Sequence, residues 1–238
     1  MAIALLPLPK TPGTNRLLAL LPPGDLRRIV AVSDIVDLKF AEVLYNPGQR
    51  LDYVYFPTDG FVSLIMQLDH GALEVGLVGS EGMFGLPLAL GVDSSPVRAV
   101  VQGSGSAMRM TGGSFLRQLG KIPSLRRQME RYVFVHISQL AQASACTRFH
   151  VVEARLARWL LMTQDRAHAD TFHITHEFLA MMLGVRRVGV TKAATALQKR
   201  KLIHYRRGDI TVLDRRGLTA AACECYNSDR AIYERMFA

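Results

Sequence analysis

The chain has 238 residues, 49% of them apolar, enough to fill one large core or two of ordinary size, so a chain disordered throughout is excluded. Its three cysteines, Cys146, Cys223 and Cys225, lack C-x-x-C spacing and indicate neither a disulfide framework nor a zinc site; no metal is expected, and a reducing cytoplasm fits best. The formal charge of +9 is uneven: residues 1–145 carry 13 Lys and Arg against 11 Asp and Glu, residues 146–238 carry 16 against 9, a local excess that suits a polyanion or a merely soluble basic surface.

Residues 1–20 read as an N-terminal extension. Pro7, Pro9 and Pro12 break it and no basic residue precedes its apolar patch, so it does not resemble a signal peptide. No later apolar run reaches the roughly 18 residues of a membrane span. From about Val36 to Met110, β-branched and aromatic residues alternate with glycine. Asp59-Gly60, His70-Gly71 and Gly103 to Gly105 read as turns between short strands of an antiparallel sandwich or barrel. Gly79, Ser80, Gly82 and Gly85 in "VGLVGSEGMFG" suit either an anion-binding loop or tight turns. Ser80, Glu81 and His70 make no nucleophile–base–orienter set, so an enzyme is not expected.

"SFLRQLGKI" predicts a short helix interrupted by Pro123, and the segment that follows has no Gly or Pro until well past residue 145. Met129, Val133, His136, Leu140 and Ala143 recur in alternating steps of four and three, the spacing of a coiled-coil seam. Tyr132, Phe134, Val135 and Ile137 make the other faces apolar too, so the helix must be covered on more than one side. The expectation is one face on its own barrel and the seam on a second subunit. "HVVEARLARWLLM" restarts the period with Val152, Leu156, Trp159, Leu160 and Met162 inward, Trp159 being a core anchor.

Thr175 is a good N-cap for a helix whose apolar face holds Phe178, Leu179, Met182 and Leu183, and Gly184 can end it in left-handed geometry. A second helix restarts within two residues, the signature of a helix-turn-helix. On a wheel of about 100° per residue its Val190, Ala193, Ala194 and Leu197 fall inward, while Arg187, Val188, Thr191, Lys192, Thr195 and Lys199 fall outward. Arg and Lys there could reach guanine edges or phosphates of double-stranded DNA, and Val188 a thymine methyl. "HYRRGDITVLD" predicts a two-stranded wing turning at Arg207-Gly208-Asp209, with Arg206 and Arg207 toward a DNA backbone, and Asp214 caps a last helix through "RRGLTAAACECY".

With these residues in view, the chain resembles the Crp-Fnr family of bacterial transcription regulators over nearly all its length after about residue 20. The likeness implies an α+β fold: a cyclic-nucleotide-binding-like antiparallel β-roll at 21–122, a central dimerisation helix at 123–147 and a winged helix-turn-helix domain at 148–238. It implies a cytoplasmic homodimer on a two-fold symmetric DNA site, and it admits RNA polymerase and a small-molecule effector as partners. Arg187, Val188 and Lys192 take the base-reading positions, while Thr175, His176 and Arg186 match positions that approach phosphates. A candidate effector pocket falls on Gly82, Gly85, Leu86, Val97, Arg98, Leu140 and Ala141. Leu86 stands where relatives that hold a cyclic nucleotide have glutamate, Val97 where they have arginine, and Leu140-Ala141 where they have Thr-Ser. These losses leave phosphate and ribose unpaired and disfavour cyclic AMP. No other cofactor is indicated, and the effector stays unnamed. The alternative is a ligand-sensing module whose basic domain docks an acidic protein.

Overall fold

A computed structural model describes residues 13–237. Residues 1–12 of the expected extension lie outside that range. Three residues of the 13–20 segment belong to the core: Asn15 caps the short helix α1 (Arg16–Ala19), its Nδ2 donates to Pro57 O at 3.0 Å and Gly82 O at 2.8 Å, and Leu17 and Leu18 are buried. Helix α2 (Pro23–Val30) follows, with proline in its first turn.

The N-terminal half is an antiparallel roll built of β1 (Asp34–Leu38), β2 (Val43–Tyr45), β3 (Tyr53–Leu68), β4 (Gly71–Val78) and β5 (Arg98–Thr111). Strand order is β1-β5-β3-β4, with β2 also on β5. The strands are fewer and longer than the glycine punctuation suggests. Asp59-Gly60 and Gly103 to Gly105 are not turns; they lie inside β3 and β5, opposite one another, where the register slips. A Cβ on Gly60 would sit 2.4 Å from Gly103 O, so only glycine lets the two backbones approach while the long ribbon bends. The expected turn at His70-Gly71 is a hairpin whose two loop residues are Asp69 and His70, with Gly71 opening β4 opposite Leu68. Phe56, Met83, Phe84, Met110 and Phe115 fill the roll.

Thr111 caps α3 (Gly112–Lys121), its Oγ1 accepting from Ser114 N, and Pro123 opens α4 (Pro123–Phe149), as the sequence predicts. Leu125, Met129, Tyr132 and Val135 bury the first half of α4 in the roll. After the break at His150, α5 (Val152–Ala167) leads into a second core shared by α6 (His176–Leu183), α7 (Arg187–Lys199) and α8 (Arg215–Ala221). The wing has three strands rather than two: β6 (Thr171–His173) pairs with β8 (Asp209–Val212), which pairs with β7 (Ile203–Arg206). The last helix also departs from expectation. It ends at Ala221, and a separate α9 (Cys225–Phe237) packs along α4, putting Tyr233 and Phe237 into the roll's core. None of the helices among the described residues is long and apolar enough to cross a membrane.

The expected seam on α4 is turned one residue away from solvent. Met129 is buried and Val133 packs against the roll core; His136 lies over Gly76 of β4; Leu140 and Ala143 are half-buried. The outward stripe is Phe134, Ile137 and Ala141, in the same steps of three and four, with Phe134 48% and Ile137 60% exposed. Both stripes satisfy a heptad. The roll core and β4 cover the first, at Met129, Val133 and His136, and the second stays open.

Candidate nucleic-acid interface

Helix α6 ends as its sequence requires. Gly184 adopts φ +60°, and the N–H of Val185 returns to Ala180 O at 2.9 Å, closing the turn. Thr175 Oγ1 accepts from Phe178 N at 3.1 Å, so this hydroxyl serves as the helix cap. Arg186 is extended and α7 starts at once, with no carboxylate in its first turn. The wheel is realised: Val190, Ala193, Ala194 and Leu197 are buried, while Arg187, Val188, Thr191, Lys192, Thr195 and Lys199 are exposed. Small alanines bring α7 close onto α5, which projects the opposite face outward.

Four carboxylates of this half are held in ion pairs. Glu153 pairs with Arg200 at 2.9 Å, Asp165 with Arg215 at 2.5 Å, Asp209 with His173 at 2.8 Å and Asp229 with Arg158 at 2.5 Å. Arg186, Arg187, Lys192, Lys199, Arg206 and Arg207 form no ion pair among the described residues. The result is an exposed cationic face around one apolar side chain, Val188, which is 58% exposed. At the wing tip Arg207 and Gly208 both take positive φ, +52° and +92°, the pattern of a type I′ hairpin turn. Arg206 and Arg207 are both exposed at this tip, at the end of β7.

His176 is held from within. Its Nδ1 lies 3.1 Å from Thr191 Oγ1, its ring stacks on Tyr205 at 4.2 Å, and its Nε2 is covered. Burial, then the charge of Arg187, lowers its pKa below the ordinary histidine value. A neutral ring that ties α6, α7 and β7 together positions the face rather than adding charge to it. Thr191 Oγ1 also donates to Arg187 O at 3.1 Å.

The candidate effector residues sit differently. Leu86 is in the roll core and Val97 packs against it. Arg98 is half-buried on the opposite strand face, with its Nε covered and unpartnered. A Cβ on Gly82 would lie 2.2 Å from the Tyr132 hydroxyl, so tyrosine fills that corner. Leu140 is half-buried and Ala141 points outward. The glycine loop is a tight turn: Gly82 N–H bonds Gly79 O at 3.0 Å, and Gly79 N–H bonds Glu81 Oε1 at 3.2 Å. A cavity of about 630 Å³ lies elsewhere, between that loop, α5 and α9, and is lined by Glu81, Arg166, Arg215, Asp229 and Arg230 among others.

Two side-chain clusters were not apparent from spacing. Trp159 is more than a core anchor: its Nε1 donates to Glu74 Oε1 at 2.8 Å, joining α5 to β4, and Ser63 Oγ donates to the other oxygen at 2.6 Å. Desolvation pushes the Glu74 carboxyl up to about 7. The sequence spacing gave no sign of the second cluster, in which Cys146, His150, Cys223 and Cys225 converge, their donor atoms all within 4.8 Å of one another. Two come from successive turns at the end of α4 and two from a C-x-C turn 77 residues away from Cys146. Neither pair alone has the spacing of a zinc motif.

The fold and this surface define a winged helix-turn-helix protein joined by a long helix to a β-roll. Residues 154–221 match the family described as the Crp-like helix-turn-helix domain. The chain is similar to the cyclic-di-GMP-responsive global regulator CLP of Xanthomonas campestris, at 19% identity and TM-score 0.66 over 80% of this chain and 99% of that one. It is also similar to FixK2 of Bradyrhizobium japonicum, at 17% identity and TM-score 0.68 over 81% and 98%. A Crp/Fnr-family regulator of Thermus thermophilus gives 22%, TM-score 0.61, and 79% and 98%. Among curated proteins no sequence matches. Residues 154–221 form a Crp-like helix-turn-helix domain, and the chain shares its overall fold with these three solved structures.

Proposed function

We propose that this protein is a sequence-specific DNA-binding transcription regulator that acts as a homodimer on a two-fold symmetric site in the cytoplasm, without cyclic AMP. The observation that carries the reading is the outward face of α7, where unpaired Arg187 and Lys192 flank exposed Val188. In a major groove Arg187 and Lys192 would meet guanine edges or phosphates, and Val188 a thymine methyl. Arg186, Thr195, Lys199, Arg206 and Arg207 lie around them to engage the backbone, with Thr175, His176 and Thr191 setting the helix positions. The exposed stripe Phe134, Ile137 and Ala141 is the surface proposed to meet its copy across the two-fold axis, in place of the buried stripe one residue earlier. Apolar Leu86 and Val97 in the roll would leave ribose and phosphate without partners, which argues against cyclic AMP.

The test is selection of sites from random duplex DNA by the purified protein at near-physiological salt. A recovered palindrome should lose about tenfold to a hundredfold in affinity with Arg187→Ala. Ile137→Asp should shift the protein from dimer to monomer in sedimentation and weaken operator binding in parallel. Failure to enrich any sequence, together with binding to an acidic protein that is insensitive to Arg187→Ala, would favour a protein-docking module instead.

A further inference from the structure

We propose that Cys146, His150, Cys223 and Cys225 form a closed tetrahedral site for one thiophilic divalent cation of the zinc class. The inference does not depend on DNA binding. Cys146 lies on the last turn of α4 and His150 is its extended C-cap residue, whose N–H bonds Cys146 O, and the two side chains converge. Cys223 and Cys225 flank Glu224 where α8 gives way to α9. All three thiols are free and buried, with Ala154 packed against them.

The distances suit the ion. Bonds of about 2.3 Å to sulfur and about 2.0–2.1 Å to imidazole nitrogen imply tetrahedral S···S and S···N edges of about 3.8 and about 3.6 Å. Cys146 Sγ lies 3.6 Å from Cys223 Sγ, and Cys225 Sγ lies 3.5 Å from His150 Nδ1. Each separation is close to the edge a bound zinc would require. A hard cation would need oxygen donors, and the nearby carboxylate is directed at the imidazole instead.

The outer contacts are those of a metal site as well. Glu224 Oε1 lies 3.1 Å from His150 Nε2, an arrangement that fixes the ring with Nδ1 toward the sulfurs. Gln142 Nε2 donates to Cys225 Sγ at 2.9 Å, and Arg158 Nη1 approaches Cys146 Sγ at 3.8 Å. Three thiolates around a dication leave one net negative charge, and the Arg158 guanidinium stands beside it. Binding would release the three thiol protons to solvent, with no change of oxidation state. With four protein ligands no position is open for substrate, so the ion's role is structural. It would clamp the end of α4 to the α8–α9 turn across the His150–Val151 break, the joint that sets the C-terminal domain against the long helix.

Cobalt(II) titration of the reduced, metal-stripped full chain provides the test. One equivalent per chain should develop thiolate-to-cobalt charge-transfer absorption with the intense visible bands of tetrahedral cobalt, and zinc should displace it. Cys223→Ser should weaken binding at least tenfold and reduce the charge-transfer intensity, while His173→Ala, at the exposed His173–Asp209 pair, should change neither. On the unsubstituted chain, zinc should slow alkylation of all three thiols and raise the unfolding midpoint, a readout independent of any variant's folding. Weak octahedral cobalt spectra, an unchanged spectrum in Cys223→Ser, or thiols that alkylate equally fast with and without zinc would each overturn the proposal.

Discussion

On the outer side of the C-terminal half, Arg187, Lys192 and Arg207 reach solvent without a carboxylate partner among the described residues. On its inner side, Arg158 and Arg166 are buried against Asp229 and Glu81, with side-chain exposures of 15% and 10%. The same guanidinium chemistry serves opposite ends. A buried pair loses hydration that only good geometry recovers, so it contributes little net stability but penalises any rearrangement that parts it. An exposed cation has little influence on folding and keeps its charge available to a polyanion. The inner pairs join α5 to the roll and to α9; the Glu81 backbone carbonyl also accepts from the Tyr233 hydroxyl. The outer cations form no ion pair among the described residues.

The comparison is sharpest between two single substitutions. Arg166→Ala strips the partner at 2.6 Å from Glu81, itself only 13% exposed, and should cost on the order of 3–5 kcal/mol in urea unfolding because an uncompensated carboxylate remains buried. Arg187→Ala should leave unfolding within about 0.5 kcal/mol of the parent. Equal losses in the two variants would break the distinction.

A second effect, somewhat smaller, concerns the neutral member of the inner joint. Desolvation raises the folded-state pKa of Glu74 to about 7, against the lowering influence of Ser63, Trp159, Arg166 and Arg158. A carboxyl raised on folding holds its proton more tightly in the native state. Its stabilising contribution is therefore complete below the ordinary glutamate value and is lost as pH rises from about 4.5 through about 7. Glu74→Gln keeps an acceptor for the Trp159 indole and removes the titration. It should flatten stability over that interval and gain on the order of 1–3 kcal/mol at pH 8, read from denaturant midpoints across pH. Parallel pH profiles for the two proteins would mean that Glu74 is ionised at no unusual cost.

These regions also differ in how far the sequence discloses them. The α7 wheel has one apolar side and one cationic side, so burial could be assigned only one way. Helix α4 is apolar on two sides, and the heptad rule fits Met129, Val133, His136 and Leu140 as well as it fits Phe134, Ile137 and Ala141. Only the packing of the roll core and β4 distinguishes them. Asp59-Gly60 carries good turn chemistry, yet glycine also serves a bulge, and the deciding contact with Gly103 is remote in sequence. The Glu74–Trp159 bond and the Cys and His cluster are remote too, joining residues 85 and up to 79 positions apart. Periodicity reports local faces; it carries no information about which distant polar groups a tertiary fold brings together.

The smallest expected effect lies at the wing tip, where the outer cations come nearest to having a conformational cost. Arg207 adopts φ +52°, a left-handed position that a residue with a Cβ enters at a cost of roughly 1 kcal/mol and glycine enters freely. Its neighbour Gly208 already supplies the second such position, so Arg207→Gly would give a Gly-Gly type I′ turn with the backbone unchanged. Folding should be unaffected or stabilised by up to about 1 kcal/mol. If the proposed backbone contact is made, the same variant should bind the selected operator less tightly and lower the slope of log affinity against log salt by about one. Opposite signs in the two measurements would show a side chain retained for an outside partner against the preference of its own backbone. A stability loss with unchanged salt dependence would place Arg207 with the inner arginines, as a residue that serves the fold.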